Sequence, residues 1–147
     1  MGRARLAGAH QGKKKGDDAI DLTIDGVKVT VPEGTTIWEA AQQVGIDIPA
    51  LCHDPRMRPV GVCRVCVVDI GARTLAASCV RPCAPGMEVH SQSEKVERHR
   101  AMLTELMMSD QPEVRPDDAV KGNELLTLAR RYDVAQPRLP RANGRRR

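Results

Sequence analysis

The chain has 147 residues, of which 41% are hydrophobic, so it has room for one small domain with extensions. It contains one Trp, one Tyr and no Phe, so aliphatic side chains must fill the core, and a core of this kind often depends on a metal centre for stability. No apolar run approaches the roughly 18 residues that span a bilayer. No apolar segment typical of a secretion signal follows Met1.

The net charge of +4 is unevenly distributed along the chain. Residues 1–16 and 138–147 each carry five basic residues and no acidic ones, whereas residues 17–137 carry 13 basic and 19 acidic residues, a net of −6. With only two aromatic residues, the chain has no platform on which bases would stack, so specific nucleic-acid binding is not expected. We expect disordered basic tails at 1–18 and 135–147.

A hairpin is the first predicted element. Apolar and polar residues alternate over 22–24 and 27–31, on either side of Asp25 and Gly26, a pair that readily forms a two-residue turn. A helix should follow, because Thr35 or Thr36 precedes Glu39 near the spacing of a capping box and apolar residues recur at helical spacing to position 44. Trp38 lies in the first turn of this helix, where we expect it to pack against the core.

Further along the chain, strands are predicted at 66–70, 74–79 and 87–90. A helix over 94–109 with Ser93 as its cap, a polar loop at 111–122 and a third helix over 123–132 complete the order. This order favours an α+β fold. We expect a β-grasp, ferredoxin-like domain over 19–92, with a mixed sheet of four or five strands over one helix, and a helical extension over 93–134.

Four cysteines stand at the spacing C-x10-C-x2-C-x12-C: Cys52, Cys63, Cys66 and Cys79. Clustered thiols in a chain without a visible secretion signal indicate metal ligands in a reducing cytoplasm rather than disulfides. Four thiolates suit a [2Fe–2S] cluster, although the spacing does not decide which cysteines share an iron. Gly61 permits a close backbone approach, and we expect sulfur-directed hydrogen bonds from the amides of residues 62, 64 and 65, with shielding of the cluster by the valines at 60, 62 and 65.

Several alternatives compete with this interpretation. A structural zinc site uses the same ligands but usually shows two C-x-x-C pairs, and a redox dithiol at Cys63 and Cys66 should precede a helix, whereas a strand is predicted here. Cys83 is a second candidate for the fourth ligand, although we favour Cys79 because it ends a strand. His53 would fit a Rieske-like site only with a second matching histidine, so we expect it to be a hydrogen-bonding or surface residue near the cluster.

Three segments, at 31–41, 48–56 and 61–69, resemble the N-terminal [2Fe–2S] domain of the large iron–sulfur subunit of complex I. The same module occurs in the diaphorase part of NAD-linked [NiFe] hydrogenases, in iron-only hydrogenases and in the α subunit of NAD-dependent formate dehydrogenases. The resemblance covers about residues 20–134 and places Cys79 at the fourth ligand. It implies an electron-transfer protein or subunit without a visible catalytic site, whose partner is a flavin- and NAD(H)-binding subunit or a larger oxidoreductase complex.

The chain departs from this family where a second, [4Fe–4S] cluster would be held by one His and three Cys. Gln111 stands in place of the histidine, and Arg115, Asp118 and Asn123 stand in place of the cysteines. Arginine and aspartate cannot replace thiolates at an iron–sulfur site, so we predict a single cluster. The competing hypothesis is a structural or regulatory β-grasp module that binds zinc or no metal.

Overall fold

The computed structural model describes residues 19–54, 56–111 and 122–134. The predicted tails at 1–18 and 135–147 lie outside the described residues, as does most of the predicted loop at 111–122. Within these ranges, no helix has the length and apolar character needed to cross a bilayer.

The predicted hairpin is confirmed. Strands β1 (Ala19–Ile24) and β2 (Val27–Pro32) pair in antiparallel register from Ala19 opposite Pro32 to Ile24 opposite Val27. Asp25 and Gly26 form the turn with φ angles of 48° and 82°, the left-handed conformation that a tight hairpin of this kind requires. The alternation places one set of side chains in the core: Ile20, Leu22, Ile24, Val29 and Val31.

Helix α1 (Ile37–Gln43) begins after Thr36. Of the two predicted N-cap candidates, Thr35 and Thr36, it is therefore Thr36 that caps the helix. The Thr36 hydroxyl accepts from the Glu39 amide at 3.2 Å, and the Glu39 carboxylate accepts from the Thr36 amide at 2.8 Å, which completes a capping box. Ile37, Ala40 and Ala41 are buried, so this face of α1 closes the core beneath the sheet.

The remaining strands are short: β3 (Val67–Val68), β4 (Ala76–Ala77) and β5 (Glu88–Val89). We expected one mixed sheet, but the five described strands form two. Strand β5 joins the hairpin by parallel pairing with β1, giving the order β2-β1-β5, and β3 pairs with β4 as a separate antiparallel ribbon. A single isolated bridge, between Asp69 and His90, links the two sheets in the described part of the chain.

At the edge of β3, the side chain of Arg100 occupies the position of a neighbouring strand. The carbonyl groups of Val65 and Val67 accept hydrogen bonds from the side chain of Arg100. Backbone groups that are occupied in this way are not available to a neighbouring strand. The β3 edge therefore pairs with the 87–90 segment only at Asp69, two residues beyond the last carbonyl that Arg100 contacts.

The two predicted C-terminal helices are confirmed as α2 (Glu94–Ser109), capped by Ser93, and α3 (Glu124–Arg131), capped by Asn123. Helix α2 packs against β3 and α3 packs against α2. The buried positions of α2 are Val96, Arg100 and Thr104, while Leu106, which belongs to the apolar pattern of the sequence, is 52% exposed. The described residues thus form an α+β, ferredoxin-like β-grasp with two further helices.

Candidate metal centre

The fold brings the four predicted cysteines together in two pairs. The Cys66 and Cys79 sulfurs lie 3.3 Å apart, and both residues are buried. The amide of Cys63 donates to the Cys52 sulfur at 3.4 Å, and these two residues are half-buried. One pair therefore lies inside the domain and the other lies nearer to solvent.

The electrostatics of Cys79 show that the four thiols share a small volume. Burial is the largest cause that raises the pKa of Cys79, to about 12, and the neighbouring Cys66 sulfur and the charges of Cys52 and Cys63 raise it further. Thiols that repel one another in this way act as ligands only when a cation offsets their negative charge. The donor set thus fits a centre that supplies positive charge.

Backbone amides surround the Cys63 sulfur. Burial raises the pKa of Cys63, but hydrogen bonds from the backbone of Val65, Leu51 and Cys52, together with one from the Cys52 side chain, outweigh it, and the resulting pKa lies below the usual value for a thiol. Amides that stabilise a thiolate also stabilise the sulfur of an iron–sulfur ligand. Among the amides expected from the sequence, that of Val65 takes this role, while Leu51 and Cys52 were not anticipated because they precede the loop.

Two left-handed residues shape the loop. Gly61 has a φ of 63°, and Arg64, between Cys63 and Cys66, has a φ of 59°. The Arg64 turn brings the Val65 amide back towards the Cys63 sulfur. A Cβ atom at Gly61 would lie 3.1 and 3.2 Å from the two methyl groups of Val80, so a side chain there would add backbone strain and require Val80 to shift.

Only one of the three valines expected to shield the site is buried. Val65 has no exposed surface, whereas Val60 and Val62 are 63% and 72% exposed. Their expected role was wrong because the described part of the loop before Cys63 runs along the surface, and the chain turns inward only after Arg64.

Cys83 is buried in the aliphatic core, close to the start of α1, where its amide donates to the Thr35 carbonyl at 2.8 Å. Burial and the charge of Glu39 raise the pKa of Cys83. Cys83 belongs to the same buried cluster as Cys66 and Cys79, but the Cys66–Cys79 pair shares the 3.3 Å sulfur contact.

His53 and Trp38 form a contact beside the first cysteine. Their ring centroids lie 4.2 Å apart at an interplanar angle of 58°, and the Trp38 indole donates to the Ile48 carbonyl at 3.0 Å. The His53 Nδ1 atom is buried and has no hydrogen-bond partner among the described residues. Trp38 therefore packs against the segment that carries Cys52, beyond the core contacts expected from the sequence.

Within the described ranges, no three His, Cys, Asp or Glu side chains are placed to hold a single metal ion. The arrangement that is present, two thiol pairs in mutual electrostatic contact, matches a cofactor with two metal atoms and two thiolates on each. When bound, such a cluster supplies reversible one-electron chemistry.

A family model described as a 2Fe-2S iron-sulfur cluster binding domain matches residues 17–94. Since this match covers more than half of the chain, the protein belongs to that family, and the cofactor is a [2Fe–2S] cluster.

Relatives confirm the resemblance found in the sequence. The chain is 40% identical over 99 residues to one subunit of the NADH-quinone oxidoreductase of Streptomyces coelicolor, and the match covers 65% of this chain and 12% of the relative. It is 39% identical over 125 residues to the HndD subunit of the NADP-reducing hydrogenase of Solidesulfovibrio fructosivorans, where the match covers 80% of this chain and 21% of the relative. The match thus spans only about an eighth to a fifth of these curated proteins.

Among solved structures, the fold is similar to that of an NAD+-reducing [NiFe]-hydrogenase crystallised in the H2-reduced state. The TM-score is 0.76 at 33% sequence identity, and the match covers 87% of this chain and 55% of the other.

The region of the predicted missing second site is only partly described. Gln111 follows α2, and the side chain of Asn123 accepts from the Leu126 amide at 3.1 Å as the cap of α3. Arg115 and Asp118 lie outside the described residues. Asn123, which the resemblance places at a cysteine position, therefore serves as a helix cap.

Proposed function

We propose that this protein is a one-electron carrier in which Cys52, Cys63, Cys66 and Cys79 hold a single [2Fe–2S] cluster. One observation carries the proposal: the cysteine loop and the turn after β4 bring four thiols together in two pairs. The chain that contains them belongs to a [2Fe–2S] family. On this proposal Cys52 and Cys63 bind one iron and Cys66 and Cys79 bind the other. Residues 19–92 form the cluster domain, and residues 93–134 support it.

The partner in this proposal is an NAD(H)-linked oxidoreductase complex, with a flavin-binding subunit as the immediate electron donor or acceptor. The relatives support a complex, since they are subunits of NADH-quinone oxidoreductase and NADP-reducing hydrogenase. Reduced thiolate ligands also favour the cytoplasm as the location.

The geometry supports an electron path through the outer thiol pair. Cys52 and Cys63 lie nearer to solvent than Cys66 and Cys79. Exposed apolar side chains surround this side, because Val62 is 72% exposed and Val80, which packs on Gly61, is 43% exposed. Aliphatic side chains beside a half-buried ligand form a surface suited to close docking of a partner protein.

A reductive titration of the purified protein tests the proposal. We expect about two irons and two sulfides per chain, a visible absorption band that bleaches reversibly, and uptake of a single electron. NADH alone should leave the protein oxidised, while NADH with a flavin-binding subunit of the proposed type should reduce it. A colourless protein that contains zinc after production in iron-replete cells would instead establish the structural module.

A further inference from the structure

Arg100 has the largest fully buried side chain among the described residues, with 1% of its surface exposed. It lies on α2, at a position where the helix faces β3. A buried guanidinium is costly unless its donors are satisfied, so its contacts indicate what it does.

Those contacts converge on the backbone around Cys66. The Arg100 Nε atom donates to the Val65 carbonyl at 3.1 Å, and Nη2 donates to the Val67 carbonyl at 2.7 Å. The two carbonyl groups belong to the residues immediately before and after Cys66. The guanidinium therefore fixes the backbone on both sides of one proposed ligand.

The positive charge of Arg100 is only partly compensated. Its one carboxylate partner among the described residues is Glu97, at 3.3 Å from Nη1, and the Glu97 side chain is 43% exposed to solvent. Tyr132, after α3, and His99, which precedes Arg100 on α2, are further ionisable groups near the guanidinium. Burial raises the pKa of Tyr132, and the charges of Arg100 and Arg131 oppose that rise. No buried carboxylate neutralises the cation within the described part of the chain.

A cluster held by four thiolates is an anion and gains a further negative charge when it is reduced. A buried cation close to a ligand favours the reduced form, because the attraction is weakly screened in the interior. The two carbonyl hydrogen bonds add to this effect, since they polarise the peptides that contain the Cys66 and Val68 amides.

We infer that Arg100 is a positioning residue that fixes the Cys66 backbone and raises the reduction potential of the cluster. This inference rests on the proposed [2Fe–2S] function and deepens it, because it gives α2 a redox role in addition to packing.

The potential of the purified protein, measured by redox titration, tests the inference in Arg100→Met. Its matched control is Arg98→Met, which removes the same charge from the same helix at a side chain that is 73% exposed and paired with Glu94 at 3.0 Å. We expect a lower potential and faster loss of visible absorbance for Arg100→Met, and values equal to those of the wild type for Arg98→Met.

Two milder substitutions keep the test decisive if Arg100→Met fails to assemble a cluster. Glu97→Gln removes the compensating charge and should raise the potential, opposite in sign to the effect of Arg100→Met. Arg100→Lys retains the charge but cannot make both carbonyl contacts, so its potential should stay near that of the wild type while its cluster is lost faster.

Unchanged potentials in Glu97→Gln and in every Arg100 variant that retains a cluster would overturn the inference, even if stability fell. That result would leave the proposed function intact, because the wild-type protein would still show a one-electron couple. A wild-type chain that assembles no [2Fe–2S] cluster would instead contradict the proposed function itself.

Discussion

Gly61 is the single residue whose identity the cysteine loop most clearly requires. Its φ of 63° is a conformation that residues with a side chain rarely adopt, and a Cβ atom would press against the two Val80 methyl groups at 3.1 and 3.2 Å. The contact joins the loop before Cys63 to the turn that carries Cys79, so it helps to set the distance between the two thiol pairs.

Gly61→Ala should therefore destabilise the cluster-loaded protein by about 1–2 kcal/mol for the backbone strain. The contact with Val80 should add up to about 1 kcal/mol, since the partly exposed valine must shift to make room. The effect is measured as the rate of loss of visible absorbance at a fixed urea concentration. A contribution of about 1 kcal/mol from the Val80 contact corresponds to a roughly five-fold faster loss.

Gly71→Ala is the matched control for this prediction. Gly71 has a φ of 73° but nothing within 4 Å of a built Cβ atom, so the substitution introduces the strain without the clash. Equal rates for the two variants would show that the Val80 contact does not constrain the loop.

At the scale of elements, each buried cysteine of the proposed site is held by a helix. The first two amides of α1 donate to the turn that contains Cys79: Ile37 to the Arg81 carbonyl at 3.0 Å and Trp38 to the Ser78 carbonyl at 3.1 Å. Amides in the first turn of a helix have no hydrogen-bond partner within the helix, so these two amides are free to bind the turn. Helix α1 thus orders the Cys79 turn through its amides, as α2 holds the Cys66 backbone through Arg100.

Thr36→Ala tests the role of α1. Loss of the capping box should lower the stability by about 1 kcal/mol, because the Glu39 amide loses its acceptor and the first turn frays. Thermal unfolding followed by circular dichroism measures the change.

Thr36→Ser keeps the hydroxyl and should retain most of the wild-type stability. If Thr36→Ser were as unstable as Thr36→Ala, the Thr36 methyl group rather than the cap would be responsible, and the proposed link between α1 and the Cys79 turn would lose its support.

At the scale of the whole molecule, the sequence predicted what depends on local patterns. The Asp25-Gly26 hairpin, the α1 capping box and the Ser93 cap of α2 all follow from short-range chemistry, and the structure shows them. Helix α3 was predicted, but its Asn123 cap was not. The cysteine spacing predicted the [2Fe–2S] site, and three short segments carried the resemblance to the family.

The features that the sequence did not predict depend on contacts between distant segments. Arg100 lies 35 residues from Val65 along the chain, and its contact with the β3 edge accompanies the division of the predicted sheet. The sequence signal for this contact was the position of a charged residue, Arg100, among the apolar residues that recur at helical spacing in α2. The sequence did not predict that Val60 and Val62 are exposed, because the order of apolar and polar residues does not show which side of an irregular loop turns inward.

The resemblance implies that this chain lacks a second ligand set, and this stays a prediction. Asn123 caps α3, which packs on the helix that carries Arg100. On the proposed function, α3 therefore supports the helix beside the single cluster.

The most direct test of the account is the identity of the ligands, because every proposal above depends on it. Iron content and the visible spectrum should be measured for Cys79→Ser and Cys83→Ser, two single changes at buried thiols within the same segment. We predict that Cys79→Ser loses or strongly alters the cluster, whereas Cys83→Ser retains the iron and the spectrum of the wild type. Retention of the cluster in Cys79→Ser together with its loss in Cys83→Ser would contradict the account.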